Sequence, residues 1–345
     1  MLSFSGSPII GGGGTVRELG AKLLPPKVEL MPLDTPVAFI IFNRADTTAL
    51  VFAEIRKAQP KTLLVIADGP RTSEEAEKCR DAQAVVDSVD WDCEVLTNYS
   101  DINLGCGPRV SSGISWVFEN VEEAIILEDD CLPDPSFFPF CEQMLAEYRD
   151  DERVVHITGT NALPNENLEA SYFFNRLTSI WGWATWRRAW QNYDYTMKGW
   201  PEYKKTKELD FYGKQKINVS NILSGHWEEP VNTWDFQWWF ACIKSQGISI
   251  TPKVNLIKNI GFRPDATHTF EPSKASAVPV SCLYFPLIAP KDQTLNPKFD
   301  EKSLENTWGK PPTPFTKLGV MIRKLKSKIQ IRARIGSLTQ MFRKP

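Results

Sequence analysis

The sequence predicts an α/β fold, with a mostly parallel central sheet flanked by helices and a helical, basic C-terminal extension. Three observations predict it. Short apolar runs alternate with stretches of helical length between residues 37 and 128. Each run stops at a turn of polar residues, glycine or proline. The residues at those stops are Asn43-Arg44, Asp68-Gly69 and Glu128-Asp129-Asp130. Strands that alternate with helices imply right-handed crossovers and parallel pairing. The three stops then fall along one rim, at the carboxyl ends of the strands, where open α/β sheets bind ligands.

Taken in order, residues 37–42 are wholly apolar and form a buried first strand. A helix follows over about residues 46–58, with Asp46 or Thr47 in the capping position. Residues 63–67 make the second strand, broken by Asp68-Gly69-Pro70-Arg71. A charged helix spans about 73–89 and a third strand 93–96. A polar loop with Asn103, Gly105 and Gly107 leads into a helix near 109–120. The fourth strand runs from Glu122 into the three acids, and Pro133 and Pro135 stop it from continuing. In the second half, 154–159 reads as a strand holding His156, a satisfied core histidine. Trp181, Trp183, Trp186 and Trp190 follow, then a helix opened by Trp234-Asp235, then short strands at 248–250 and 254–256. The organisation expected is a flexible leader at 1–33, a main domain at 34–270, a C-terminal extension at 271–316 and a basic amphipathic helix at 317–345.

The 345 residues carry 40 Lys or Arg against 42 Asp or Glu, a net charge of −2. Nine of the basic residues and no acids lie from Lys317 onward, so the body holds 31 against 42 and sits near −11. Such a body disfavours nucleic acid as a partner, because phosphate neutralisation dominates that affinity. The seven cysteines form no C-x-x-C pair and leave an odd one. With no signal-like start and no membrane-length apolar run, they point to reduced thiols in a cytoplasmic protein.

Glu128-Asp129-Asp130 is the most informative motif. Adjacent carboxylates repel one another and resist desolvation, so they need either a cation or an exposed turn. A hard divalent ion holding a diphosphate meets that need. No G-x-G-x-x-G or G-K-[ST] follows the first strand, which disfavours dinucleotide and P-loop readings.

Together these residues resemble a GT-A (Rossmann-like) glycosyltransferase, and within it the N-acetylglucosaminyltransferase I family and related bacterial transferases. The matching pieces appear in the family's order: Asn43-Arg44, Asp68-Gly69, Glu128-Asp129-Asp130-Cys131-Leu132 with Phe137-Phe138, Gly182-Trp183, and Trp234-Asp235. They cover residues 36–270, about two-thirds of the chain. The family's Trp-Asp-Asp is Trp234-Asp235-Phe236 here, so acceptor identity does not carry over. The resemblance implies roles residue by residue. It makes Asp130 the direct ligand of Mn²⁺ or Mg²⁺, with His268 as a second ligand. Glu128 and Asp129 would contact donor sugar, ribose or metal-bound water.

Other positions keep two readings. Asp68 either accepts the imide N–H of a uracil or thymine base or forms an Asp-Gly turn. Arg44, beside Asn43, either contacts the nucleotide diphosphate or pairs with an acid in the rim. Arg109 and Asn103 are further donor-binding candidates. Asp235 serves as general base to the acceptor hydroxyl, in an inverting reaction, or caps the helix it begins. Among the tryptophans, Trp183 is the one expected to touch ligand. The function expected is transfer of a sugar from a nucleoside diphosphate, a UDP-sugar by the Asp68 reading, to a glycan or lipid-linked acceptor. A nucleotidyltransferase would show a Gly-rich basic loop after the first strand, which Asn43-Arg44-Ala45-Asp46 is not. A non-catalytic carbohydrate-binding protein would bind without metal. In the tail, Leu318, Ile322, Leu325 and Ile329 form a helical stripe among basic residues, continued to Phe342. It suits either the inner face of an anionic membrane or the acidic body itself.

Overall fold

The structure, a computed structural model, describes residues 32–165, 167–263 and 277–311. The leader up to residue 31, His268 and the basic tail lie outside the described residues.

The chain begins with β1 (Val37–Ile41), α1 (Ala45–Ala58), β2 (Thr62–Ala67), α2 (Ser73–Val86), β3 (Glu94–Tyr99), α3 (Cys106–Asn120) and β4 (Glu123–Glu128). A tight turn at Asp129-Asp130 leads to β5 (Cys131–Pro133), then α4 (Phe137–Glu147), β6 (Val154–Thr158), β7 (Tyr172–Asn175) and β8 (Trp183–Trp186). Two short helices follow, α5 (Arg187–Trp190) and α6 (Trp200–Tyr203), then a 3-10 segment (Glu208–Gln215) and α7 (Lys216–Glu228). The last elements are α8 (Asp235–Lys244), β9 (Ile248–Pro252), β10 (Ile257–Asn259) and α9 (Pro297–Trp308).

Eight strands form one sheet in the order β3-β2-β1-β4-β8-β6-β9-β7. The first four pair in parallel, as the alternation predicts. The tryptophan strand β8 differs: it inserts antiparallel between β4 and β6, and β7 closes the far edge antiparallel to β9. Periodicity carries no direction, so these reversals are not readable from the strands themselves. Residues 254–256 are not a strand. The pairing falls one step later, where β10 meets β5 in a separate two-stranded sheet with Pro133 at its end. An edge position there suits a residue that cannot donate a ladder hydrogen bond.

Strand alternation divides the interior. Val37, Phe39, Ile41, Ile125 and Leu127 point into one core with α1 and α4. Ala38, Ile40, Ala124, Ile126 and Trp183 point into the other with α3 and α8. This is the period-two pattern of strands covered on both faces. A third cluster joins α6, α7, the 3-10 segment, α9 and one face of α8. Because α8 lends Trp238 to the second core and Trp239, Phe240 and Ile243 to the third, its first residue, Asp235, sits where the two meet.

The chain runs outward from β1 through β2 to β3, then returns so that β4 pairs on the opposite side of β1. The carboxyl ends of β1 and β4 therefore border a topological switch point, the place where such sheets open a crevice.

Candidate functional site

A cleft of about 320 Å³ lies at that switch point. Asn43 and Arg44 enter it from the end of β1, and Glu128, Asp129 and Asp130 from the end of β4. Asp235, Thr233 and Trp181 line it from the second half of the chain. Segments nearly 200 residues apart in sequence thus meet across one opening (Arg44 to Asp235).

Arg44 sets the electrostatics. Its Nη2 contacts Asp129 Oδ1 and donates to Asp130 Oδ2 at 2.9 Å. Burial works against the guanidinium's charge, but the two carboxylates outweigh it and raise its pKa further. The rim-pairing reading of Arg44 is therefore the one realised, inside the cleft. Asp129 is only 3% exposed, and its Oδ2 is buried without a partner among the described residues. Burial pushes Asp129 up to about 6 against the pull of Arg44. Burial, then the charges of Asp130 and Asp129, push Glu128 up to about 8. The Asp130 carboxylate rests on Gly261, where any added Cβ would lie 2.2 Å from Oδ2. Cys106, which opens α3, sits among the acids. Burial raises its thiol first, then Glu128, Asp235, Asp130 and Asp68 in turn. A thiol held neutral in this way is a poor nucleophile.

Asp68 is placed differently from the base-binding expectation. Its Oδ1 accepts from the N–H groups of Gly69 and Leu104, both at 2.9 Å. Its Oδ2 accepts from Gly105 N at 2.9 Å and Asn103 Nδ2 at 3.1 Å. Four donors use the carboxylate's lone pairs, so Asp68 shapes the 103–105 loop, which is the turn-forming reading. Arg109 lines the cleft but is spent on the strand ends. Its Nε donates to Ala67 O at 3.0 Å and its Nη2 to Asn98 Oδ1 at 2.7 Å. It pins β2 to β3 and has little reach left for a donor. Asn43 donates to Glu75 Oε1 at 2.7 Å, and Glu75 also holds Arg71.

Asp235 accepts from Thr233 Oγ1 at 2.5 Å. Its segment is tied to the start of α3, because Asn232 Oδ1 accepts from Gly107 N at 2.8 Å. Asp235 lines the cleft and does not cap α8, whose N-cap is Trp234 with no side-chain cap bond.

Trp183 is a correction. It is fully buried, stacked on His156 at 5.3 Å and on Trp234 at 5.6 Å. The tryptophans that line the cleft are Trp234 and Trp181, the latter set just before Gly182 turns the chain at φ +61° into the strand. His156 is the satisfied core histidine expected. Its Nδ1 accepts from Trp238 Nε1 at 3.2 Å and its Nε2 lies 3.1 Å from Ser179 O. The helix start is also corrected. Arg44 is the N-cap of α1 with no side-chain cap, and Asp46 pairs with Arg263.

Residues that sequence reasoning missed on the cleft are Arg71, Asn232, Asn259 and Gly261. Arg71 follows the second strand in the same position that drew attention to Asn43-Arg44, so that signal was available. Asn259 ends the short β10, and Asn232 and Gly261 come from loops, none with a pattern of its own.

Among the described residues, no group of three or more His, Cys, Asp or Glu is arranged to hold a metal ion. A diphosphate-bound ion needs fewer protein ligands, one or two carboxylates with phosphate oxygens completing the shell. The orphaned Asp129 Oδ2 beside Asp130 fits that donor chemistry. The seven cysteines are all unpaired, and among the described residues no helix is long and apolar enough to cross a membrane.

Fold and site together define a mixed α/β protein with an acidic, arginine-bridged cleft at its switch point. The chain matches no protein-family model and no curated protein in sequence. Among solved structures, a UDP-glucose pyrophosphorylase complexed with UDP-glucose is similar over 46% of this chain and 79% of that one. The identity is 9% and the TM-score 0.27, a level at which the similarity carries no argument.

Proposed function

We propose that the chain is a metal-dependent, inverting glycosyltransferase that uses a nucleoside diphosphate-sugar donor and a glycan acceptor. One observation carries this reading: Glu128, Asp129 and Asp130 share a switch-point cleft with Arg44 and, on another wall, Asp235. Buried acids that repel one another suit a site completed by a divalent cation bound together with the donor.

Asp130 and Asp129 would hold Mn²⁺ or Mg²⁺, which when bound stabilises the charge on the departing diphosphate as a Lewis acid. His268 stays a proposed additional ligand. Arg44 and Arg71 bring positive charge to the same opening. The N-terminus of α3 adds the backbone N–H dipoles that favour anions. Glu128, on the same rim, would contact the donor sugar or ribose. Asp235 takes the proton of the acceptor hydroxyl as it attacks the anomeric carbon opposite the leaving diphosphate. Since Asp68 is committed to its loop, base selection falls to other groups, and the donor base is an open variable of the test.

The basic stripe at 317–342 would, on this reading, bring a cytoplasmic enzyme to the anionic inner face of the membrane where lipid-linked glycans are built. The proposal is tested by thermal-shift screening of uridine, thymidine and guanosine diphosphate-sugars with and without Mn²⁺. A stabilisation by at least one donor that needs Mn²⁺ is expected. No response to any donor would refute the reading.

A further inference from the structure

A second cavity lies beside the acidic cleft. It has a volume of about 230 Å³, and Ile180, Trp181 and Asp235 line both. Its character is different. Phe236, Trp239, Phe299 and Trp308 give it aromatic walls, and Asp235 is the one charged residue lining it among the described residues. Much of one wall comes from α9, beyond the last strand. That helix is anchored by Phe299, 4.7 Å from Phe173 in an edge contact, and by Leu304 in the third core cluster.

Six hydroxyl-bearing residues interrupt the aromatic surface, Thr178 and Ser303 among them. Thr178 Oγ1 and Ser303 Oγ are buried and have no hydrogen-bond partner among the described residues. Ser303 is 4% exposed. An unpaired buried hydroxyl is costly, and a ligand that supplies the partner removes that cost. A hydrocarbon would leave both hydroxyls unpaired. A phosphate or other anion would meet Asp235 and no counter-charge. A sugar ring satisfies both features, since its C–H faces pack on aromatic rings while its hydroxyls exchange hydrogen bonds with Thr178 and Ser303.

We propose that this cavity seats the terminal sugar ring of the acceptor, with its reacting hydroxyl toward Asp235. The inference rests on the transferase reading for the role of Asp235, but saccharide binding in the cavity is measurable without donor or metal. The volume allows a single ring rather than an extended chain, so recognition is of the acceptor's end.

The test is a titration of the full chain with methyl glycosides of the common hexoses and N-acetylhexosamines. It is read by tryptophan fluorescence and ligand-observed NMR, with octanol as the apolar probe. At least one glycoside is expected to saturate in the millimolar range. Ser303→Leu, which fills the cavity, should weaken it at least tenfold. Trp308→Ala, at a residue 46% exposed, is the second variant should Ser303→Leu fail to fold, and should weaken binding severalfold. Donor-induced thermal stabilisation serves as the internal control. Absence of glycoside binding, binding indifferent to the variants, or octanol binding in place of glycosides would each overturn the cavity assignment. A donor response without glycoside binding leaves the transferase reading standing and removes this one. Glycoside binding without any donor response removes the transferase reading and the acceptor role with it.

Discussion

Arg44 neutralises two acids that the fold has brought out of water, with side-chain exposures of 18% for the arginine and 5% and 19% for Asp129 and Asp130. Removing one member of a buried pair strands the other charge, which commonly costs about 3 kcal/mol or more. Arg44→Ala should therefore lower the unfolding free energy by about 3 kcal/mol, and millimolar Mn²⁺ should restore part of it. Denaturant titration with and without the ion checks both, and a change within error would count against a cation-demanding pair. The contrast with Asp68 shows what one residue name conceals. Both aspartates follow a strand, yet Asp68 accepts four hydrogen bonds within its own loop while Asp129 leaves Oδ2 unpaired. Strand-end position was legible in the sequence. The number of donors waiting there was not, because three of the four are backbone N–H groups whose direction depends on the loop.

At the scale of elements, alternation of apolar runs and helices was enough to place the first four strands and their parallel pairing. The reversed β8 was not, since Trp183-Ala184-Thr185-Trp186 is buried on both faces and reads alike in either direction. That reversal also explains the tryptophan exchange: Trp183 enters the second core and Trp181, before the turn at Gly182, stays on the cleft. The same core carries a pH signature. Burial holds His156 neutral, with its pKa lowered to about 3 from 6.5. The unfolded chain then takes up the proton first, so the stability is fully present above about 6.5 and is lost as pH falls toward 3. Between pH 6.5 and 5 the loss should reach about 2 kcal/mol. His156→Asn should flatten that slope in denaturation curves. An unchanged slope would assign the acid sensitivity to other groups.

For the whole molecule, the sheet sets the acids and Arg44 on one rim while α8 and α9 build a second cavity against Asp235. The contribution of α9 to a cavity wall was not legible in the sequence, because Phe299, Ser303 and Trp308 show no motif. The tail belongs to this scale as well. Liposome flotation should carry the full chain with vesicles rich in anionic lipid, and deletion of 317–345 should abolish it. Protein that stays at the bottom would end the membrane proposal. The most direct measurement for the account is donor binding and transfer in Asp130→Asn and Asp235→Asn side by side. Asp130→Asn should lose Mn²⁺-dependent stabilisation by the donor. Asp235→Asn should keep that stabilisation and lose about 10²–10⁴-fold in transfer rate. An Asp130→Asn protein that binds donor and metal as the native chain does would contradict the account.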